Sequence, residues 1–395
     1  MKRLDSWVGF LLCLALSALH LPFARQPQRV KNPPDRILLI KFFGLGSILQ
    51  ATPLLRSLRR HFPRASIGFL TFESNRVLLD RQPFVDRLFT IRREGLLRIA
   101  VDTLGALWKV RKYRPDVTLD LEYFAKFSTL VSFLSGARTR IGFQLPKLWR
   151  GALLTHPVFY NDHRHISEIF GALGIPLGLK LEELDFQLGP LHIWPREREM
   201  AVRLLDEFGF VSSGILVGIN PNTSDLCLER RWPLERFAAL IERLSREENV
   251  RVYLTGSAEE SSYVGSLLNR LTSQARTRTA DLSGRTGIGT FLALLERTAL
   301  FITNDSGPLH FACAVGTPTL SFFGPETPVR FGPRSGFHRT LYASLYCSPC
   351  LNVYSNKSAP CGGQNRCMTA ISLEDAWSLV QLILQGGTVK ERVAV

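Results

Sequence analysis

The stretch that decides the fold is Phe301-Ile-Thr-Asn-Asp-Ser-Gly-Pro-Leu-His310, followed directly by Phe-Ala-Cys-Ala-Val-Gly-Thr-Pro-Thr-Leu-Ser-Phe-Phe-Gly324. Apolar runs of strand length open and close this stretch, and small polar residues follow the first run. Between the runs, Pro308 suits the first position of a helix, and Gly316 suits the left-handed residue that ends one. The stretch therefore predicts a strand, a loop, a helix, a turn and a second strand.

The start of this predicted helix is a potential binding site for phosphates. A helix that begins directly after a strand presents unbonded backbone N–H groups and the positive end of its dipole, and His310 adds a side-chain donor in the first turn. The alternative is that Asp305 and Ser306 only cap the helix while His310 packs beneath it. We predict that the binding residues are Asn304, Asp305, Ser306, Gly307, Pro308 and His310.

Strands and helices alternate along the rest of the chain. Short apolar runs lie at 36–41, 66–72, 88–91, 117–121 and 140–143, and the pattern restarts near residue 193 with runs at 215–220 and 250–255. Strands that are connected through helices pair in parallel. We therefore predict an α/β protein with two Rossmann-like domains, at 33–192 and 193–395, whose ligand sites lie at the carboxyl ends of the strands.

The composition is that of an ordinary globular protein. The 395 residues are 45% hydrophobic and 21% charged, which excludes a disordered chain. The net charge of +15 and the isoelectric point of about 9.9 suit a polyanion or an anionic membrane surface as a partner. Because the sequence contains no helix-turn-helix or RNP motif, we predict no nucleic-acid partner.

Residues 1–32 form a separate hydrophobic segment. The stretch 7–23 is almost wholly apolar, with basic residues on both sides. We predict a membrane anchor, either a short span or a monotopic helix, because a full span needs about 20 apolar residues. A cleaved signal peptide stays open as the alternative, although the run ends in a poor cleavage site. The basic residues after the run favour a cytoplasmic position for the rest of the chain.

Several motifs together resemble those of glycosyltransferase family 9, the bacterial heptosyltransferase family. They are Asp305-Ser-Gly-Pro-Leu-His310, Arg230-Arg-Trp-Pro233 and Leu254-Thr-Gly-Ser-Ala-Glu259. The resemblance implies a GT-B architecture, in which two Rossmann-like domains face a cleft. It also implies inverting transfer of a sugar from a nucleotide diphosphate donor, by default ADP-heptose. The implied acceptor is a lipid-linked glycan such as the lipopolysaccharide core, reached at the cytoplasmic face of the bacterial inner membrane.

The resemblance assigns the second domain to the donor. The loop and helix at 304–310 would hold the diphosphate, so that no catalytic metal is expected. Arg230 stands where the family has a lysine, and both are cations, although the guanidinium is a planar fork. Thr223, Gly256 and Glu296 would lie around the nucleotide, with Glu296 towards the base or ribose.

The first domain would bind the acceptor, and here the sequence departs from the family. Gly46-Ser47 replaces the family's usual Gly-Asp, whose carboxylate is the favoured general base, and a serine cannot take that role alone. Asp120 and Glu122 follow a predicted strand and share one face of it. We predict that one of them, preferably Glu122, is the base, with His165 beside the acceptor; otherwise the chain binds a nucleotide sugar without turnover.

Four cysteines form the pattern C-x2-C-x10-C-x5-C at Cys347, Cys350, Cys361 and Cys367. Four thiols within about twenty residues can surround a tetrahedral metal, and in a reducing cytoplasm such spacing favours structural zinc. Disulfides, free thiols or an iron–sulfur cluster are the other interpretations. The remaining cysteines are isolated in the sequence and are predicted to be packing residues.

Overall fold

The chain forms two compact α/β units in a computed structural model. The structure describes residues 2–20, 33–145, 149–210, 214–224, 227–334, 336–352 and 359–385. The first unit comprises Met1–His192 and the second Ile193–Val395. Each unit contains a sheet whose described strands are all parallel. The predicted class, two parallel-sheet α/β domains, is thereby confirmed.

The first unit has a sheet with the strand order β3-β2-β1-β4-β5-β6. The strands are β1 (Arg36–Ile40), β2 (Ser66–Phe72), β3 (Arg87–Ile91), β4 (Val117–Asp120), β5 (Thr139–Gln144) and β6 (His156–Phe159). The helices are α1 (Lys2–His20), α2 (Leu45–Leu49), α3 (Thr52–His61), α4 (Arg76–Leu79), α5 (Leu96–Tyr113), α6 (Lys126–Leu134) and α7 (Ile166–Ala172).

The central strands β1 and β4 bring two loops together. Strand β1 is apolar after Arg36, β4 alternates apolar and polar residues, and both strands are almost wholly buried, as expected where helices cover a parallel sheet. Ile40 at the end of β1 pairs with Asp120 at the end of β4. The residues that follow these two strands therefore meet at the carboxyl edge of the sheet, which is where such sheets bind ligands.

The second unit has a sheet with the strand order β12-β11-β10-β7-β8-β9. The strands are β7 (Ile215–Asn220), β8 (Val250–Leu254), β9 (Thr279–Asp281), β10 (Leu300–Asn304), β11 (Thr319–Phe323) and β12 (His338–Tyr342). The helices are α8 (Pro195–Asp206), α9 (Leu234–Arg246), α10 (Ser261–Leu268), α11 (Ser273–Thr277), α12 (Ile288–Glu296), α13 (Gly307–Val315), α14 (Pro328–Phe331), α15 (Arg366–Thr369) and α16 (Leu373–Gln385).

The stretch 301–324 forms the predicted strand, helix and strand, which are β10, α13 and β11. Pro308 lies in the first turn of α13, and Gly316 ends that helix with φ of 82°. Thr303 of β10 pairs with Asn220 of β7, so the start of α13 lies beside the loop after β7. The edge strands β6, β9 and β12 were not predicted, because each is a short run that mixes polar and apolar side chains.

The N-terminal helix α1 packs against the first unit through one face. Its Asp5 carboxylate accepts hydrogen bonds from the N–H groups of Lys126 and Phe127, at 3.0 and 2.8 Å, and so caps α6. Cys13 is fully buried against Leu130 of that helix. Within the described part of the chain, no helix has the length and apolar character needed to cross a bilayer. Residues 21–32 of the predicted anchor lie outside the described residues.

Candidate functional site

The start of α13 is open to a ligand. Ser306 precedes the helix in an extended conformation and makes no side-chain cap to it; its Oγ lies 3.2 Å from Oγ1 of Thr303 instead. Apart from its chain neighbours and the backbone of its own helix, no atom of the described residues lies within 4 Å of the position that a Cβ on Gly307 would occupy. Among the described residues, no acceptor takes the N–H of Gly307. Capping by Ser306 therefore does not account for this motif, and an anion can approach the helix end.

Arg230 is held beside this helix start. Its guanidinium donates to the carbonyl oxygen of Asp305 at 3.0 Å and to Oγ of Ser224 at 2.8 Å, and it lies 3.3 Å from the Asp305 carboxylate. Its side chain is 15% exposed. The cation is thus fixed in position, partly desolvated and still reachable, which are the properties of a preorganised phosphate-binding group.

Asn304 has a positioning role in the structure. Its Oδ1 accepts from the N–H of Trp232 at 2.9 Å, and its Nδ2 donates to the carbonyl oxygens of Pro221 and Asn222 at 2.9 and 3.3 Å. The side chain is fully buried. Its amide therefore ties the loop after β7 to the segment that carries Arg230, and it supports the site without facing a ligand.

Thr223 lies in the loop after β7, and Gly256, which follows β8, packs against that loop. Oγ1 of the buried Thr223 donates to the carbonyl of Cys227 at 3.3 Å, so the side chain fastens the loop. A Cβ on Gly256 would come within 2.8 Å of Nδ2 of Asn222, so any side chain at that position would displace the Asn222 amide. Oδ1 of Asn222 is buried and has no hydrogen-bond partner among the described residues. Asn222 was not among the predicted site residues, although it follows the carboxyl end of a strand.

His310 lies in the first turn of α13 and is 6% exposed. The pKa of its imidazole is lowered to about 4, mainly by burial. The Asp305 carboxylate offsets part of this decrease, and Arg230 adds to it. The ring is therefore neutral near pH 7. As a neutral imidazole it can donate one hydrogen bond, but it does not add a positive charge to the site.

We expect the stability of the protein to fall between pH 6.5 and 4 in part because of His310. The unfolded chain takes up a proton near pH 6.5, whereas the folded chain does so only near pH 4, so the contribution is complete above pH 6.5 and is lost as the pH falls. The loss is on the order of 3 kcal/mol. Urea unfolding of wild type and His310→Asn across this range measures it. Equal pH slopes for the two proteins would contradict the assignment.

Glu296 does not belong to this site, contrary to the prediction. Its carboxylate forms two hydrogen bonds of 2.8 Å with the guanidinium of Arg198 on α8. It is the last residue of α12 and precedes β10, so it lies at the amino edge of the sheet, whereas α13 starts at the carboxyl edge. Glu296 is close in sequence to the start of α13, but the full length of β10 lies between them and separates the two edges of the sheet.

In the first unit, Asp120 forms a buried and saturated ion pair. One carboxylate oxygen accepts from the N–H of Glu122 at 3.0 Å. The other accepts from the hydroxyls of Ser128 and Thr129 and from the guanidinium of Arg150. The Asp120 side chain is completely buried, and that of Arg150 is 3% exposed. With both oxygens occupied and no solvent access, Asp120 is disfavoured as the general base.

Glu122 is placed differently. Its Oε1 accepts from the N–H groups of Phe42 and Phe43 at 2.7 and 2.9 Å and lies 3.5 Å from the ammonium of Lys41. Its Oε2 has no hydrogen-bond partner among the described residues. One oxygen therefore fixes the carboxylate to the loop after β1. The Glu122 side chain is only 3% exposed, so its unpaired Oε2, and not solvent access, distinguishes it from Asp120 as the candidate base.

The predicted acceptor residues gather at the same edge of the first sheet. Gly46 and Ser47 lie in the short helix α2, directly after the loop that Glu122 binds. His165 caps α7, and its Nδ1 accepts from the N–H of Ser167 at 3.2 Å. The hydroxyl of Ser167 in turn donates to Oε1 of Gln50 at 2.8 Å, which connects the α7 start to the end of α2. The structure assigns His165 a capping contact and leaves its contact with an acceptor as a prediction.

The four clustered cysteines, predicted as a structural zinc site, show no metal-binding arrangement in the described part of the chain. Cysteines in the described part of the chain are free thiols, and no group of three or more potential ligands is arranged there to hold a metal ion. Cys350 and Cys361 pack beside a small buried cluster of Cys227, Leu351 and Ala359. Burial raises the pKa of Cys367 to about 11. The thiols of Cys350, Cys347 and Cys361 contribute to this rise in the pKa of Cys367. The four cysteines are therefore neighbours in the fold, and structural zinc stays a prediction.

Comparison with known proteins identifies the family. The sequence model of the family described as "Glycosyltransferase family 9 (heptosyltransferase)" matches residues 109–359. Lipopolysaccharide heptosyltransferase 2 of Escherichia coli K12 is 26% identical over 307 residues, which cover 74% of this chain and 84% of that protein.

Solved structures show the same fold. The structure of Escherichia coli ADP-heptose lps heptosyltransferase II has a TM-score of 0.71 at 22% identity, and the match covers 89% of this chain and 99% of that one. Escherichia coli heptosyltransferase WaaC with ADP has a TM-score of 0.64 at 15% identity, covering 88% and 99%. Because the family model matches well over half of the residues, the chain belongs to glycosyltransferase family 9.

Proposed function

We propose that this glycosyltransferase moves heptose from ADP-heptose to the lipopolysaccharide core, with inversion at the anomeric carbon, at the cytoplasmic face of the bacterial inner membrane. The observation that carries the proposal is the open start of α13 beside the fixed guanidinium of Arg230. The names of the similar proteins, which are lipopolysaccharide heptosyltransferases, support this donor and acceptor.

The second unit would bind the donor and stabilise its leaving group. As the bond between the anomeric carbon and the diphosphate oxygen breaks, negative charge develops on the diphosphate. The N–H of Gly307, the α13 dipole and the Arg230 guanidinium would receive that charge without rearranging, because the Asp305 carbonyl and Ser224 hydroxyl already hold the guanidinium. We propose that these groups serve the diphosphate in place of a catalytic metal.

The first unit would bind the acceptor and activate its hydroxyl. Oε2 of Glu122 would take the hydroxyl proton while the acceptor oxygen attacks the anomeric carbon on the side opposite the diphosphate. One carbon–oxygen bond forms, the bond to the diphosphate breaks, and ADP leaves. In this proposal Glu122 takes the role that the family's aspartate has at the position of Ser47.

The test is a transfer assay with purified full-length protein, ADP-heptose and a lipopolysaccharide core that lacks its outer heptose. We expect ADP release and a product heavier by one heptose, with an inverted anomeric linkage by NMR. UDP-glucose and GDP-mannose serve as donor controls. ADP-heptose binding without transfer to any core acceptor would instead support a nucleotide-sugar-binding protein, which the Ser47 departure from the family favours as the second candidate.

Arg230→Lys is expected to keep transfer within about tenfold of wild type, since an ammonium at this position can still face a diphosphate. Arg230→Met removes the charge and is expected to lower kcat/KM about a hundredfold. Steady-state kinetics with ADP-heptose measures both variants. Arg231→Lys is a matched control, because the neighbouring guanidinium lies over the ring of Tyr263 at 4.0 Å. Equal rates for Arg230→Met and wild type would remove Arg230 from the mechanism.

A further inference from the structure

Helix α5 of the first unit carries an exposed apolar row. Leu97, Val101, Leu104 and Trp108 are 80%, 55%, 69% and 65% exposed. Their spacing of four, three and four residues places them on one face of the helix. The opposite face, which includes Val110, is buried in the core against α6. Helix α5 therefore has two apolar faces. One packs in the core of the unit, and the exposed row on the other is not explained by packing within the unit.

A basic cleft adjoins the C-terminal end of this row. Trp108 and four cations, Arg36, Arg111, Lys112 and Arg114, line a volume of about 420 Å³. The ammonium of Lys112 lies 5.6 Å from the centre of the Trp108 ring. The single acid in α5 is Asp102, and it is paired with Arg92 and Arg98 at the other end of the helix. The cations of the cleft can therefore serve an external anion.

A second apolar surface lies on the other side of α6. Helix α6 contacts α5 through the cluster that contains Val131, and it contacts α1 through Leu130. The outer side of α1 exposes Trp7 and Leu11, at 75% and 60%. Exposed apolar side chains thus flank α6 on both sides, on helices that the first unit holds in place.

We propose that this α5 surface, the apolar row together with the basic cleft, lies on an anionic phospholipid bilayer. The leucines and Val101 would enter the boundary of the acyl chains, Trp108 would sit at headgroup level, and the cations of the cleft would contact lipid phosphates. An amphipathic helix with a basic margin and an interfacial tryptophan has the chemistry of such a contact.

Charge distinguishes the bilayer from a second copy of the chain. Residues 92–114 contain seven Lys and Arg side chains against two acids. A symmetric dimer through α5 would place two such positive surfaces against each other, whereas anionic lipids neutralise them. The inference goes beyond the proposed reaction and does not depend on it, because binding to vesicles requires no sugar donor.

Flotation of the full-length protein with vesicles tests the proposal. We expect binding to vesicles that contain phosphatidylglycerol and weak binding to pure phosphatidylcholine. The double variant Leu97→Ser, Leu104→Ser is expected to lower the partition coefficient by about tenfold or more. The variant Lys112→Gln, Arg114→Gln is expected to lose the preference for phosphatidylglycerol. Leu382→Ser on α16, whose leucine is 48% exposed, is the matched control and should bind as wild type does.

Two further measurements keep the result specific. Quenching of tryptophan fluorescence by brominated lipid should decrease in Trp108→Phe, which reports on α5 itself and not on a change in folding. Sedimentation velocity without lipid should give the same mass for wild type and the Leu97, Leu104 variant. Three results would overturn the proposal. The first is unchanged vesicle binding in that variant, and the second is loss of binding only in Trp7→Ser with Leu11→Ser. The third is an oligomer that the α5 variant dissociates.

Discussion

Glu122→Gln is expected to lower kcat for heptose transfer by about 10²–10⁴-fold while donor affinity stays unchanged. The glutamine can keep the acceptor oxygen that binds the N–H groups of Phe42 and Phe43. It presents an amide where Oε2 was, and an amide cannot take the acceptor proton. The expected loss therefore falls on the chemical step and not on the fold of the loop.

The measurement combines single-turnover kinetics with calorimetric binding of ADP-heptose to wild type and variant. Glu73→Gln is the matched control, because Glu73 also follows a strand at the carboxyl edge of this sheet, but its carboxylate binds Arg76 at 2.6 Å and is exposed. Normal turnover in Glu122→Gln would exclude Glu122 as the base. A parallel loss of thermal stability would instead point to the contact between Glu122 and the buried Lys41.

The elements around β10 could be predicted because their signals are local. Buried apolar runs, Pro308 at a helix start and Gly316 at its end each determine the backbone within a few residues, and the structure reproduces all of them. The parallel pairing followed from the alternation of strands and helices. These predictions needed no knowledge of which residues meet across the fold.

The roles of individual side chains could not be predicted in the same way. Asp120 and Glu122 look equivalent in sequence. Arg150, 30 positions beyond Asp120, separates their roles, because it binds the carboxylate of Asp120 but only the backbone carbonyl of Glu122. Glu296 was assigned to the nucleotide from its position before β10, but the strand carries the chain to the opposite edge. Such long-range contacts depend on packing, which no local pattern records.

Asp120→Asn is expected to lower the free energy of unfolding by about 3–5 kcal/mol, because it leaves the buried guanidinium of Arg150 without its counter-charge. Urea unfolding at pH 7 measures the change. Glu374→Gln is the control, since that carboxylate pairs with Arg243 on the surface and is 73% exposed; its removal should leave the free energy of unfolding close to that of wild type.

The reason for the difference is solvation. At the surface, water replaces a lost partner, but the Asp120 and Arg150 side chains are buried from bulk solvent. The guanidinium must therefore find new acceptors or open the structure. Removing both charges in Asp120→Leu, Arg150→Met should therefore recover part of the lost stability. A stable Asp120→Asn protein that no longer transfers heptose would contradict this assignment, because it would show that the carboxylate acts on the substrate and not on the packing around Arg150.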